Sequence, residues 1–250
     1  MSLSLNFISQ KPQLKRLELP TRYYHFDEDT NYVKLLSIGE GIFPKDRINL
    51  KMKLDKSDCI ITTESATKVY PSQEDFGINR FDFNLQEKSN LECINDELIL
   101  FKEAKYLQLF TLRSDASSSF FYTDIVSSGR SFEHFDFTQM QCRNRFIIED
   151  DVEYLENFTI SGDFLKEYFL RHQSKNYVYA KVYIKSEDNV LLEEKLRALG
   201  FNSFTLTRSK KMLIGVLSEE NVGKMKKMID TVWTAYRKQR NTKPFNLGKQ

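Results

Sequence analysis

The chain has 250 residues, 40% of them hydrophobic, with 37 basic side chains against 35 acidic ones and a formal charge of +2. That length buries a full core, as one large β-rich domain or two small ones, and the near balance of charge excludes a global field of the kind that marks nucleic-acid or membrane binders. Twenty Phe and twelve Tyr against nine Gly and five Pro describe strands with broad aromatic faces rather than a loop-rich or disordered chain.

At the start, Met1-Ser2-Leu3-Ser4-Leu5-Asn6 lacks a cationic region followed by a long apolar stretch, so no secretory signal is read there. No apolar run approaches the roughly 18 residues that a membrane-spanning helix needs; the expected location is cytoplasmic, with no membrane partner. Ile42-Phe43-Pro44-Lys45 leads into a turn at Asp46. Beyond it Ile48, Leu50, Met52 and Leu54 alternate with Asn49, Lys51 and Lys53, the period of two of a half-buried strand. Ile61 to Tyr70 reads as a strand of β-branched and aromatic residues carrying Glu64 and Lys68, where a plain strand needs neither charge. Phe81, Phe83 and Leu85 repeat the alternation against Arg80, Asp82 and Asn84. Polar breaks follow Leu54, Leu85 and Leu112, and new apolar strands begin near Cys59, Leu91 and Phe120. A strand-turn-strand unit thus recurs three times at about 30-residue spacing. Stacked units sharing one core and ordinary consecutive hairpins both produce this pattern.

The character changes near residue 176. Tyr177–Ile184 reads as a strand, Val190–Leu199 as a helix closed by Gly200, and Ser203–Thr207 and Met212–Leu217 as strands flanking the basic turn Arg208-Ser209-Lys210-Lys211. A last helix is expected after an N-cap at Ser218, with Val222, Met225, Ile229, Val232, Trp233 and Tyr236 as its apolar stripe. The tail from Arg237 to Gln250, with five basic and no acidic residues, is expected to fray. The fold class is therefore mainly β (α+β), divided into a β-rich core over 1–175 and a β-α-β-β-α part with a basic tail over 176–250.

Motifs for nucleotide binding, zinc proteolysis and serine hydrolysis are absent from the sequence. Cys59, Cys93 and Cys142 are widely spaced and sit in apolar stretches, reading as small buried hydrophobes, and His25, His134 and His172 are too scattered for a ligand pair on one element. Carboxylates are more informative. Asp124, inside Phe120-Phe121-Tyr122-Thr123-Asp124-Ile125-Val126, must pair, bind something or take a raised pKa. Glu156 shares strand parity with Tyr154 and Phe158, the face expected to be buried.

Thr62-Thr63-Glu64-Ser65-Ala66-Thr67-Lys68-Val69-Tyr70, followed by Leu91-Glu92, Phe101 and Ala104, and Asp124 before Gly129-Arg130, resembles the urease accessory protein D family, also called UreD or UreH, from about Tyr32 to about Tyr236. The resemblance implies a non-catalytic, predominantly β helicoidal protein without a tightly bound cofactor. It would bind the urease apoprotein and accessory protein F, reach the GTPase accessory protein G through F, and pass nickel as cargo toward the urease active site. The family positions implicated in that route fall on Asp46, Thr67, Lys68, Asp124 and Glu156, with Asp46, Asp124 and Glu156 as weak, transient metal ligands. Two departures stand out: the glycine-rich lead into the family's aspartate reads Ser37-Ile38-Gly39-Glu40-Gly41 and Pro44-Lys45-Asp46, and Ile94-Asn95-Asp96-Glu97 lacks the usual prolines.

Two other readings come from the residues. An RNA-binding α/β module could use Arg208, Lys210, Lys211, Lys224, Lys226 and Lys227 as a basic patch, with Phe204 as its stacking aromatic. A hydrolase could pair Asp124 with Glu156 across a substrate cleft.

Overall fold

The structure is a computed structural model describing residues 1–27, 30–37, 41–130, 132–172, 175 and 177–248. Ile38, Gly39 and Glu40 of the lead into Asp46, Asn176 at the expected boundary, and the last two tail residues lie outside the described residues.

The recurring units are stacked. β5 (Arg47–Asp55), β8 (Gly77–Gln86) and β11 (Lys105–Ser114) run parallel in one sheet. β6 (Asp58–Thr63), β9 (Asn90–Ile94) and β12 (Ser119–Ser127) run parallel in a second. Consecutive hairpins would pair antiparallel within one sheet; here each turn carries the chain from one sheet to the other. Cys59, Leu91 and Phe120, the expected strand starts, share one rung. On the other sheet Leu54 and Leu85 share a rung, but the third member is Ser114 rather than Leu112. The stacked turns satisfy one another: the Ser57 amide donates to Ser89 Oγ (3.2 Å) and the Ser89 amide to Ser118 Oγ (3.1 Å).

Further strands extend both sheets. β1 (Ser2–Ile8) and β2 (Lys11–Leu17) lie beyond β5, and β13 (Gln139–Ile148) and β14 (Asp151–Ile160) beyond β11, giving the order β14-β13-β11-β8-β5-β1-β2. β3 (Thr21–Asp27) and β4 (Asn31–Ser37) flank β6 at one end of the second sheet. At its other end β15 (Val178–Lys185) pairs antiparallel with β12 and continues to β17 (Leu213–Glu219) and β16 (Phe204–Leu206). The C-terminal strands therefore share a sheet with the stacked units. Between the sheets lies a core that includes Leu54, Phe83, Phe110, Phe120, Tyr122, Phe146 and Tyr183.

Helices α2 (Asn189–Ala198) and α3 (Val222–Gln239) cover the outer face of the second sheet. With both faces covered, every residue of β9 is buried, which is why its sequence does not alternate. The α3 stripe packs as expected, but its N-cap is Asn221, whose Oδ1 accepts the Lys224 amide at 2.9 Å. Ser218 and Glu219 instead remain in β17, because they pair with Tyr179 and Val178 of β15. α1 (Gly162–Arg171), which sequence patterning missed, is capped by Ser161. The tail does not fray through residue 248. Phe245 and Leu247 pack on the helix-covered cluster, Tyr32 donates to the Leu247 carbonyl (2.7 Å), and Arg237 Nε donates to the Lys243 carbonyl (2.9 Å).

α3 is locked to the sheet through Glu92, which is 2% exposed. Its Oε2 accepts from Arg237 Nη1 (2.6 Å) and Trp233 Nε1 (2.5 Å), and its Oε1 from Asn90 Nδ2 (2.8 Å). Removing one member of a buried ion pair strands the other, at about 3–5 kcal/mol. Glu92→Ala should cost that much in chemical denaturation, whereas Arg113→Ala, which breaks a solvent-facing pair with Asp82, should cost less than about 1 kcal/mol. Equal costs would show that Glu92 does not anchor α3.

Candidate functional site

Alternation predicts apolar side chains at every inward position of the two sheets, and one band breaks the rule. On β11 the inward series is Tyr106, Gln108, Phe110, Leu112; on β13 it is Met140, Cys142, Asn144, Phe146. β14 contributes Glu156 between Tyr154 and Phe158, β12 contributes Asp124 between Tyr122 and Val126, and β15 contributes Lys181 between Tyr179 and Tyr183. Five strands thus bring a polar group into one band, Gln108 lying level with Cys142 and Asn144 one inward position further along, opposite Phe110 and Glu156. The band separates the aromatic core on one side from a cluster on the other that includes Tyr106, Val126, Met140 and Cys142.

The groups form a continuous chain. Gln108 Nε2 donates to Asp124 Oδ2 (2.8 Å) and to Asn144 Oδ1 (3.3 Å), and Asn144 Nδ2 donates to Glu156 Oε2 (2.7 Å). That same Glu156 oxygen accepts from Lys181 Nζ (2.7 Å) and Tyr183 Oη (2.9 Å). Tyr122 Oη donates to Asp124 Oδ1 (2.5 Å), and Tyr106 Oη to Gln108 Oε1 (3.2 Å). Asp124 and Lys181 face each other directly across the β12–β15 ladder. The two carboxyl groups are therefore bridged by packed amides, which leaves no substrate cleft of the kind paired-carboxylate hydrolysis needs.

Desolvation is the main influence on Asp124 and raises its pKa, opposed by Lys181 and by the hydrogen bonds from Tyr122 and Gln108. Burial likewise holds the hydroxyls of Tyr122, Tyr179 and Tyr183 well above their ordinary range. Asp124 and Tyr179 are only partly buried and retain accessible surface. Asn79, on β8 opposite Gln108, is buried with its Oδ1 lacking any hydrogen-bond donor.

The other sequence-derived candidates lie apart from this chain. Asp46 closes a turn in which its Oδ2 accepts the Phe43 amide (2.9 Å) and its own amide donates to the Phe43 carbonyl (3.1 Å). Pro44 takes the first central position, and Lys45 adopts the left-handed conformation at φ 72° without glycine. The family-like stretch is not one strand. β6 ends at Thr63, a bend follows, and β7 (Thr67–Val69) resumes beside β10 (Leu98–Leu100). Lys68 is exposed, and its carbonyl accepts the Ile42 amide (2.8 Å). Among the described residues no hydrogen bond or ion pair joins Asp46, Thr67 or Lys68 to Asp124 or Glu156. Glu64, Asn95, Asp96, Lys226 and Trp233 instead line a cavity of about 1080 Å³ beside α3.

Cys59, Cys93 and Cys142 are all buried, with burial pushing the thiol of Cys59 far up and that of Cys142 to about 12. Among the described residues no group of three or more His, Cys, Asp or Glu side chains is placed to hold a metal ion. The RNA-binding alternative loses its platform. Phe204 is 4% exposed and lies against Gly215, where an added Cβ would come within 2.3 Å of its ring. Three of the six patch residues are committed to acids, Lys211 to Glu149, Lys224 to Glu220, and Lys226 to Asp96 and Glu97.

The family model described as UreD urease accessory protein matches residues 13–247. The chain belongs to the UreD family. The urease accessory protein UreD of Aliarcobacter butzleri (strain RM4018) is 49% identical over 250 residues, covering 100% of both chains. Those of Staphylococcus aureus (strain bovine RF122 / ET3-1) and Staphylococcus epidermidis (strain ATCC 12228 / FDA PCI 1200) are each 30% identical. The matches span 130 and 132 residues, or 51% and 52% of this chain and 47% and 48% of the relatives. As a UreD protein it is an accessory factor in urease maturation and not itself a catalyst. No helix among the described residues is long and apolar enough to cross a membrane.

The raised Asp124 pKa makes a pH prediction. A carboxyl whose folded pKa exceeds its unfolded value contributes stability that is complete below the unfolded pKa, about 3.9, and is lost as pH rises through the folded one. Asp124→Asn cannot titrate. Its stability relative to the parent should therefore shift in the variant's favour as pH rises from about 4, followed by urea denaturation over a pH series. A difference that stays constant with pH would contradict the desolvated assignment.

Proposed function

We propose that this UreD protein is a cytoplasmic scaffold and nickel-delivery factor. In this reading it binds the urease apoprotein and accessory protein F, engages the GTPase accessory protein G through F, and conducts nickel toward the urease active site through the layer between its sheets. The observation that supports conduction most is the Asp124-Gln108-Asn144-Glu156 chain, polar and oxygen-rich in a space that alternation would fill with hydrocarbon. Two carboxyl groups draw a divalent cation inward, and amides and phenols supply further oxygens. Among the described residues no imidazole or thiolate cage is preassembled, which suits cargo that must enter favourably and leave readily.

Asp46, Thr67 and Lys68 are assigned in this proposal to the entry or exit of the route, because they cluster around the Ile42-Val69-Leu98 end of the fold. Asp46 and Glu156 would join Asp124 as weak, transient ligands.

Two measurements test the reading. Calorimetry and absorption spectroscopy on the isolated chain should show weak Ni²⁺ binding without thiolate-to-metal bands, since all three thiols are buried and burial raises the pKa of Cys59 and Cys142. Tight binding abolished by thiol blocking would contradict it. Urease matured with Asp124→Asn should contain less nickel and show lower activity, while the accessory complex still forms and co-purifies with the apoprotein. Normal nickel content would remove the conduction role and leave the scaffold.

A further inference from the structure

Resting on the reading of the layer as a cation path, we infer that Lys181 is a tethered counter-cation: its ammonium holds the cation position at Glu156, and an entering divalent ion takes its place there. Lys181 is 7% exposed. Its Nζ lies 2.7 Å from Glu156 Oε2 and 4.4 Å from the centroid of the Phe158 ring, so a carboxylate oxygen and an aromatic face converge on one positive charge. A place that accepts an ammonium so deep in the fold accepts a cation electrostatically.

Two further features point the same way. The buried Asn79 Oδ1 faces this layer without a donor, so the layer has spare acceptor capacity, which suits a cation or its water and repels an anion. Among the described residues the layer holds one ammonium, that of Lys181, for two carboxyl groups, Asp124 and Glu156. A divalent ion matches both once the ammonium withdraws. Lys181 can withdraw without unfolding its strand, because its charge sits on a flexible four-carbon stem that can slide along the Phe158 face. The exchange swaps one ion pair for another, so an ion passing through never leaves Glu156 uncompensated in a low-dielectric space. A purely structural ion pair would serve as well with any well-packed apolar replacement; a counter-cation would not.

The test is Lys181→Gln in the full-length chain, which keeps a donor near Glu156 and removes the charge. Without metal its melting temperature should fall below that of the parent. Excess NiCl2 should restore much of the loss, while moving the parent far less. Calorimetry should show Ni²⁺ binding roughly tenfold or more tighter than in the parent, because a like charge has been taken away from the site. Glu156→Gln added to Lys181→Gln should abolish both effects. If Lys181→Gln does not fold in chelator, recovery of folded protein on refolding with NiCl2 supports the inference and failure to recover overturns it. Lys181→Arg, which keeps the charge, should show no Ni²⁺ response.

A Lys181→Gln variant whose melting temperature and Ni²⁺ affinity match the parent's in every condition overturns the counter-cation role. So does a Ni²⁺ response that survives Glu156→Gln. If in those cases Asp124→Asn still lowers nickel delivery to urease, the path stands and only the exchange at Lys181 falls. Normal delivery by Asp124→Asn overturns the path, and the exchange role with it.

Discussion

A carboxyl group between two packed sheets must be satisfied from within the protein, because leaving it unpaired costs several kcal/mol. Asp124 and Glu156 both occupy such positions, and much of the local sequence follows from that demand. Gln108 and Asn144 stand where alternation calls for Leu or Val, and their amides carry hydrogen bonds from one carboxyl to the other. Tyr122 and Tyr183 bring hydroxyls to the layer while their rings stay in the aromatic core, 4.2 Å from Phe110 and 4.6 Å from Phe146. Each is a hydrophobe facing one way and a donor facing the other. Satisfied networks of this kind fix register, since a one-residue slip in any contributing strand would turn its polar group out to the opposite face.

The stacked architecture makes such a layer possible. Parallel strands keep equivalent residues at equivalent depth, so Asn79 and Gln108 of successive units line up, and Asn144 follows one inward position along on β13. The serine ladder of Ser57, Ser89 and Ser118 holds the turns in step. At the far edge, antiparallel β14 and β15 supply Glu156 and Lys181, which lie outside the repeat. The chemistry thus collects where the regular stack ends. α3 and its Glu92 anchor cover the opposite face of the second sheet and leave the inner face to the layer.

The period of two in β5 and β8 was readable because one face is wet, and the apolar stripe of α3 was readable for the same reason at helical period. Whether the units stacked or formed hairpins was not, since strand pairing partners leave no trace in alternation. Asp124 was visible as an acid inside an apolar strand, and Glu156 by parity with Tyr154 and Phe158. Gln108, Asn144, Asn79 and Lys181 went unnoticed because neutral or basic residues in strands usually face solvent; asking which polar residues occupy core parity would have found the first two. Glu92 stood out only as part of a family-like pair, because β9 is covered on both faces and does not alternate. The misplaced cap at Ser218 reflects tertiary pairing: β15 extends β17 past the residue where local chemistry would begin a helix.

The account depends on the inter-sheet layer being wet rather than a sealed structural network. The most direct measurement is a high-resolution crystal structure of the chain with attention to ordered water. The account predicts water within hydrogen-bond distance of Asp124 and of Asn79 Oδ1, because both are polar groups set in the layer, Asp124 is only partly buried and Asn79 Oδ1 lacks a donor from the protein. A dry layer, with the Asn79 amide repacked onto protein partners and side chains closed over Asp124, would contradict it.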